Sequence, residues 1–139
     1  MEVSVKYIKG RHFQAEGSAK VLTNIDTSVT KGGTGRGASP MEMILMALAG
    51  CSGMDIVSIL EKMQVDFDRM VIFVQGEQTV DHPRVFSDIE LTYKFWGKTL
   101  PEAKLLRAIS LSMEKYCSVA NMLDKSANIT YHLEINPEN

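Results

Sequence analysis

The order of apolar and polar residues divides the first 25 residues into short β-strands. Residues 2–7 alternate between polar and apolar side chains, the period of two that is typical of a strand. Gly10 ends this strand, and residues 11–17 and 18–25 are predicted to return as two further strands. The chain therefore opens on a small antiparallel sheet.

The next apolar segment predicts one long helix over residues 40–63. Ser39 is a good N-cap, Pro40 suits the first helical position, and Glu42 stands where a capping box needs an acid. A helix of about 25 residues is about 37 Å long. Residues 43–51 are apolar on every side, so we expect this half to be buried all round. One chain of 139 residues can hardly bury such a helix, so we expect a homodimer.

Alternation and helical spacing then predict five more elements. They are strands at 68–80 and 87–97, a helix from Pro101, a short helix within 115–123, and a closing strand at 128–135. Residues 81–84 form the turn between the first two. Because the strands are grouped rather than alternating with helices, the fold class is α+β with antiparallel pairing, in a single domain over residues 1–139.

Composition and charge exclude some classes of binding partner. The net charge is −2 and no long basic run is present, which argues against nucleic acid or an anionic membrane as the main partner. The first residues lack the charged start and apolar block of a secretory leader. The apolar run Met43–Met54 is too short to span a bilayer, and Asp55 follows it. We expect a soluble, cytoplasmic protein.

Several familiar motifs are excluded by their context. Residues 33–38 fit a relaxed dinucleotide-binding pattern, but a long helix and a hairpin follow instead of a parallel βαβ unit. We interpret this glycine-rich loop as mobile and close to an opening. No pair of His, Cys or acidic residues has metal-ligand spacing, so no metal site is predicted. A serine-hydrolase elbow is also missing.

Two cysteines carry the candidate chemistry. Cys51 lies among small residues in the long helix, where it is either a buried small hydrophobe or a reactive thiol beside a pocket. Cys117 precedes the short third helix, whose N-terminus is expected to lower the pKa of a thiol. In a reducing compartment, two such cysteines are thiols or a transient redox pair.

Residues 38–60 and 114–123 resemble the two cysteine motifs of the OsmC/Ohr family of hydroperoxide-resistance proteins. The shared features are the small-x-Pro opening of the central helix, a cysteine about eleven residues later, and a second cysteine that opens a short helix. The resemblance covers essentially the whole chain and is greatest with the OsmC-like branch. It implies antiparallel sheets wrapped around long central helices in an intertwined homodimer, with active sites at the subunit interface.

The resemblance also implies a mechanism, that of a cysteine-based organic hydroperoxide reductase in the oxidative stress response. Cys51 would attack the hydroperoxide and become a sulfenic acid, and Cys117 would condense with it to a disulfide that an external dithiol reduces. No metal, flavin or haem cofactor is implied. Apolar neighbours of Cys51, namely Met46, Leu48 and Met54, would favour alkyl hydroperoxides over hydrogen peroxide.

The match is incomplete where the family activates its thiol. Family members use a glutamate that holds an arginine against the reactive cysteine, and Met41 occupies that glutamate's position here. Glu42 lies nine residues before Cys51, which is 2.5 turns and the opposite helix face. For the arginine, Arg11 is the positional candidate and Arg36 the alternative.

Asp55, one turn after Cys51, would oppose formation of the thiolate if its charge were close and unpaired. A second hypothesis therefore stays open beside the peroxidase. The same fold would bind an apolar small molecule without catalysis, and its cysteines would be merely sensitive to oxidation.

Overall fold

The computed structural model describes residues 1–138, which divide into an N-terminal unit, Met1–Ile44, and a C-terminal unit that starts at Leu45. Each unit has one three-stranded sheet. The mixed α+β class predicted from the strand grouping is confirmed. That residues 1–139 form a single domain stays a prediction.

The N-terminal sheet consists of β1 (Ser4–Lys9), β2 (His12–Glu16) and β3 (Leu22–Ile25), paired antiparallel in that order as the alternation predicts. The large apolar side chains in its strands and directly before them are mostly exposed: Val3, Val5, Tyr7, Ile8, Phe13, Val21 and Leu22. A three-stranded sheet normally needs a covered apolar face for stability. A single chain leaves much of this sheet's apolar surface open to solvent.

The glycine-rich loop after β3 is held by the buried carboxylate of Asp26. That carboxylate accepts hydrogen bonds from the backbone N–H groups of Thr27, Thr34 and Arg36 and from the Thr34 hydroxyl. Burial raises the pKa of Asp26, but these hydrogen bonds outweigh it and hold the pKa well below its ordinary value. A side chain at Gly33 would collide with the carbonyl of Thr27. These contacts give the loop a defined conformation, and its mobility stays a prediction.

The long helix, α1, spans Pro40–Lys62 and begins with the predicted capping box. The Glu42 carboxylate accepts hydrogen bonds from the backbone N–H and the hydroxyl of Ser39, both at 2.7 Å. The Ser39 hydroxyl oxygen in turn accepts the N–H of Glu42 at 3.3 Å. The hydrogen bonds from Ser39 hold the pKa of Glu42 below its ordinary value. Glu42 is thus a capping residue, as its spacing predicts.

Only one stripe of α1 is buried within the chain. Leu48, Ser52, Ile56 and Leu60 are fully buried at a spacing of four residues, while Met54, between them in sequence, is 77% exposed. The single chain therefore does not bury the first half of α1 all round, as its length predicts, and full burial by a partner subunit stays a prediction. A helix that is apolar on both faces but covered on one needs a second cover.

By length and composition alone, α1 is also long and apolar enough to cross a membrane. An 18-residue window of the helix has a mean hydropathy of 1.9, and 28% of that window is buried. Residues 43–54 alone are too short to span a bilayer, but the whole helix is long enough. One such helix is weak evidence for a membrane span, because the core helices of soluble proteins have the same properties. Asp55 lies within it and contacts other polar groups of the chain.

The C-terminal sheet has β5 (Phe86–Trp96) at its centre, between β4 (Arg69–Gln78) and β6 (Asn128–Ile135). The inward face of β5 forms the core, with Ile89, Leu91, Tyr93 and Phe95 at most 1% exposed. This is the face that the alternation predicts. β4 pairs antiparallel with β5, but β6 pairs parallel to it, which corrects the prediction of antiparallel pairing throughout.

The parallel pair is possible because a helical connection links its strands. Residues 97–127 contain α2 (Glu102–Leu111), a π-helical turn (Ser112–Tyr116) and α3 (Ser118–Leu123). Parallel strands need a crossover of at least a dozen residues, and this segment supplies it. The crossover brings Cys117 toward α1.

Candidate active site

The two cysteines meet inside the C-terminal unit. Cys51 is half-buried in the middle of α1, and Cys117 is fully buried immediately before α3. The sulfur of Cys51, the sulfur of Cys117 and a carboxylate oxygen of Asp55 all lie within 4.8 Å of one another. The fold therefore brings together thiols that are 66 positions apart in sequence.

The π-helical turn positions Cys117 and supplies a polar contact for Asp55. The Cys117 N–H donates to the carbonyl of Ser112 at 2.8 Å, five residues back. The buried Ser112 hydroxyl lies 3.1 Å from Oδ2 of Asp55 and 3.3 Å from the carbonyl oxygen of Ser52. The hydroxyl has one hydrogen to donate, and the carboxylate of Asp55 is the better acceptor, because hydrogen bonds to charged acceptors are stronger. Asp55 is thus close to both thiols, but it is not unpaired.

Two further hydroxyl groups, those of Tyr93 and Ser52, are hydrogen-bonded in series beside Cys51 in α1. The Tyr93 hydroxyl donates to Oγ of Ser52 at 2.9 Å, and the Ser52 hydroxyl donates to the carbonyl of Ala49 at 3.2 Å. The sulfur of Met113 is 3.2 Å from the Tyr93 oxygen. Burial raises the pKa of Tyr93 to about 12, so it stays a neutral donor. These contacts fix α1 against β5 beside Cys51.

Burial also decides the protonation of Cys117. Desolvation raises the pKa of its thiol to about 11, although an N–H from Ala120 donates to the sulfur at 3.3 Å and lowers it. The neighbouring Cys51 thiol raises it further. The expectation that the third helix lowers this pKa is therefore wrong, because loss of water outweighs the helix terminus. Cys117 is a protonated thiol at neutral pH.

An apolar groove runs along the uncovered face of α1 beside Cys51. Its lining comes from α1 and β4: Ala49, Gly50, Gly53, Met54, Val57, Ser58, Glu61, Met70 and Ile72. At about 100° per residue, Cys51 lies about 60° from Met54 and about 40° from Asp55 around the helix. Cys51 therefore lies between the groove and Asp55 on the surface of α1.

The predicted activating residues lie in the N-terminal unit. Arg11 is exposed in the turn after β1, with its side chain near Gly32. Arg36 is exposed in the glycine-rich loop, and its backbone N–H donates to Asp26. Their role in activating Cys51 stays a prediction. Met41, at the position of the family glutamate, is half-buried at the start of α1.

Sequence reasoning missed the hydroxyl groups that surround the thiols. Ser52, Tyr93 and Ser112 come from three separate elements, and no spacing in the sequence links them. Ser52 beside Cys51 had a weak signal, because a serine in an otherwise apolar helix segment needs a buried partner. The sequence spacing also predicted no metal site, yet Cys51, Asp55 and Cys117 are close enough to hold an ion.

Comparisons with known proteins identify a family, a relative and two structural neighbours. The sequence model described as OsmC-like protein matches residues 33–132. Protein YhfA of Escherichia coli K12 is 40% identical over 136 residues, covering 97% of this chain and 98% of YhfA. A crystal structure of a hypothetical protein from Aquifex aeolicus has a TM-score of 0.82 at 29% identity, covering 98% and 97% of the two chains. The organic hydroperoxide resistance protein OhrB of Bacillus subtilis shares the fold, with a TM-score of 0.69 at 17% identity over 96% of each chain.

Proposed function

The chain belongs to the OsmC-like family, and from that membership we propose that it is a thiol-dependent peroxidase of organic hydroperoxides. The observation that carries the proposal is the pair of sulfurs within 4.8 Å, one half-buried and one fully buried. A peroxide can reach the first thiol, and the second is in place to resolve the product. The name of OhrB, a structural neighbour, supports the substrate class.

Cys51 performs the first step. Its thiolate attacks the terminal oxygen of the hydroperoxide, the O–O bond breaks, and the sulfur becomes a sulfenic acid. The alkoxide leaves and takes a proton from solvent to become the alcohol. Attack by Cys51 rather than Cys117 follows from access and ionisation, since Cys117 is fully buried and protonated.

Cys117 performs the second step. Its sulfur attacks the sulfenic sulfur of Cys51, a disulfide forms, and the hydroxyl leaves as water with the proton of the Cys117 thiol. Because the thiolate is the attacking species, the Cys117 thiol must lose its proton as the S–S bond forms, and that proton completes the departing water. An external dithiol then reduces the disulfide and completes the cycle. The chemistry requires no metal, flavin or haem.

A cation beside Cys51 would stabilise its thiolate and the departing alkoxide. Arg11 is our first candidate for this role and Arg36 the alternative, both from the N-terminal unit. Glu42 caps α1 instead, with its Oε2 accepting both hydrogen bonds from Ser39.

We also propose that the active form is a soluble, cytoplasmic homodimer. The groove along α1 and the exposed apolar side chains of the N-terminal sheet are two surfaces that a single chain leaves open. Contiguous apolar surface of this kind marks an interface. A second copy of α1 is our choice of occupant for the groove, because the small residues Ala49 and Gly50 let another backbone approach closely, and nothing lies within 4 Å of the Cβ position of Gly50.

Cys117→Ser treated with one equivalent of an alkyl hydroperoxide is expected to accumulate a sulfenic acid at Cys51, because its resolving partner is gone. A dimedone-type reagent followed by peptide mass spectrometry measures the adduct. Cys51→Ser is the matched control and should give none. If no adduct forms at Cys51, or if it forms no faster than with a free thiol, Cys51 is not the peroxidatic residue.

The open apolar groove favours one competing function, the binding of an apolar small molecule without turnover. The two functions differ in a consumption assay. A peroxidase removes many equivalents of alkyl hydroperoxide in the presence of a dithiol, whereas a binding protein removes none beyond slow oxidation of its thiols.

A further inference from the structure

The reduced thiols and Asp55 have the composition and spacing of a metal-binding site. The two sulfurs and one carboxylate oxygen lie within 4.8 Å of one another. Tetrahedral Zn²⁺ binds thiolate sulfur at about 2.3 Å and carboxylate oxygen at about 2.0–2.2 Å, so two ligands of one ion are roughly 3.5–3.8 Å apart. Each pair of ligand atoms would have to approach by at most about 1.3 Å to bind one ion.

We propose that reduced Cys51, Cys117 and Asp55 form a three-ligand site for a thiophilic divalent cation such as Zn²⁺, with a fourth position open to water. Two sulfurs select this class of ion, because thiolates prefer zinc to the hard cations Mg²⁺ and Ca²⁺. Three protein ligands and one open position are also the pattern of zinc sites that exchange a bound molecule.

Neighbouring groups already support two of the three ligands. The fully buried Ser112 hydroxyl donates to Oδ2 of Asp55, which leaves the other carboxylate oxygen for an ion. The N–H of Ala120 donates to the sulfur of Cys117. Hydrogen bonds from outer groups that fix the ligand orientation are a regular property of metal sites. Binding of the cation releases the thiol protons to solvent, and the cation then compensates the negative charge of the two thiolates and the carboxylate.

Metal binding and disulfide formation exclude each other, because both use the same two sulfurs. If a hydroperoxide oxidises the loaded site, the two thiolates supply two electrons and form the disulfide. The O–O bond breaks, two protons from solvent complete one alcohol and one water, and the cation is released. A bound cation should therefore slow the reaction with peroxide, a consequence that rests on the proposed function, whereas the binding itself does not.

The test is a titration of the fully reduced protein with Zn²⁺ in competition with a chromophoric chelator, without oxygen. One Zn²⁺ per chain is expected, and none after the half-buried Cys51 thiol is blocked with N-ethylmaleimide. Co²⁺ should give the sulfur-to-cobalt charge-transfer band and the intense visible bands of a tetrahedral thiolate site. Asp55→Asn should weaken the affinity at least about 10-fold, the lower end of the loss caused by removing even a supporting group.

Asp124→Asn is the matched control, since Asp124 is an exposed acid paired with Lys125, and it should bind as the wild type does. Circular dichroism checks that both variants fold. Absence of stoichiometric Zn²⁺ binding, or equal affinity in Asp55→Asn and Asp124→Asn, would overturn the three-ligand site. Peroxidase activity without zinc binding refutes this inference alone, and zinc binding without peroxidase activity refutes the proposed function alone.

Discussion

Cys51→Ser is expected to reduce the consumption of an alkyl hydroperoxide by roughly 10³-fold or more, to the background of the reductant. A serine hydroxyl is a far weaker nucleophile than a thiolate at neutral pH, and it cannot form a sulfenic acid or a disulfide. The rate is measured with a dithiol as the reductant and an excess of hydroperoxide.

Cys117→Ser is expected to behave differently in the same assay. The first equivalent of hydroperoxide is consumed at the wild-type rate, because Cys51 is intact. Later turnovers fall to the rate at which the dithiol reduces the sulfenic acid directly. Far-ultraviolet circular dichroism should show unchanged helix content in both variants. Full turnover by Cys51→Ser, or loss of the first equivalent in Cys117→Ser, would contradict the assigned roles.

Met54→Glu is expected to dissociate the proposed homodimer, raising its dissociation constant by roughly 10²-fold or more. Met54 is 77% exposed in the single chain and lines the apolar groove along α1. A charge buried without a partner costs several kcal/mol. Because a two-fold axis relates the copies of the proposed homodimer, the glutamate would be present twice in the interface. Sedimentation equilibrium at low micromolar concentration measures the assembly.

Met122→Glu provides the control for this substitution. Met122 is a methionine of α3 that is 66% exposed and lies outside the groove, so its replacement should leave the dimer intact. A wild-type protein that is a folded monomer with native helix content would refute the dimer. Equal assembly of the Met54→Glu and Met122→Glu variants would refute α1 as its interface.

The order of elements was predictable because each has a local signal. The period of two along β5 identified its buried face, and the capping box at Ser39 and Glu42 fixed the start of α1. Alternation is the same in parallel and antiparallel strands, so it could not predict the parallel pairing of β6. Burial of α1 on one face only was equally hidden, since an apolar helix carries no mark of which face its own chain covers.

The candidate site was predictable in its thiols but not in their surroundings. Cys51 and Cys117 were candidates from the sequence alone, but their pairing came from the resemblance to a family, since their separation in sequence gives no local motif. Ser112 reaches Asp55 through a π-helical turn, and no pattern in the sequence marks that extra residue. The direction of the pKa shift at Cys117 was wrong, because desolvation depends on tertiary packing that the sequence does not display.

Asp26 shows the same limit in the N-terminal unit. Glycines predict freedom of the backbone, and they led to a mobile loop in the sequence interpretation. Here the glycines allow close approach instead, because side chains at Gly33 and Gly37 would collide with neighbouring backbone. The carboxylate that holds the loop lies before it in the sequence and has no distinguishing pattern.

The central claim is that Cys51 and Cys117 act as one redox pair, and a single mapping experiment tests it most directly. Fully reduced wild-type protein, freed of metal, is treated with one equivalent of an alkyl hydroperoxide, digested without reductant and analysed by mass spectrometry. We predict one equivalent of the alcohol and a Cys51–Cys117 disulfide within one chain. Unconsumed hydroperoxide, or a product in which the two cysteines are not linked, would contradict the account.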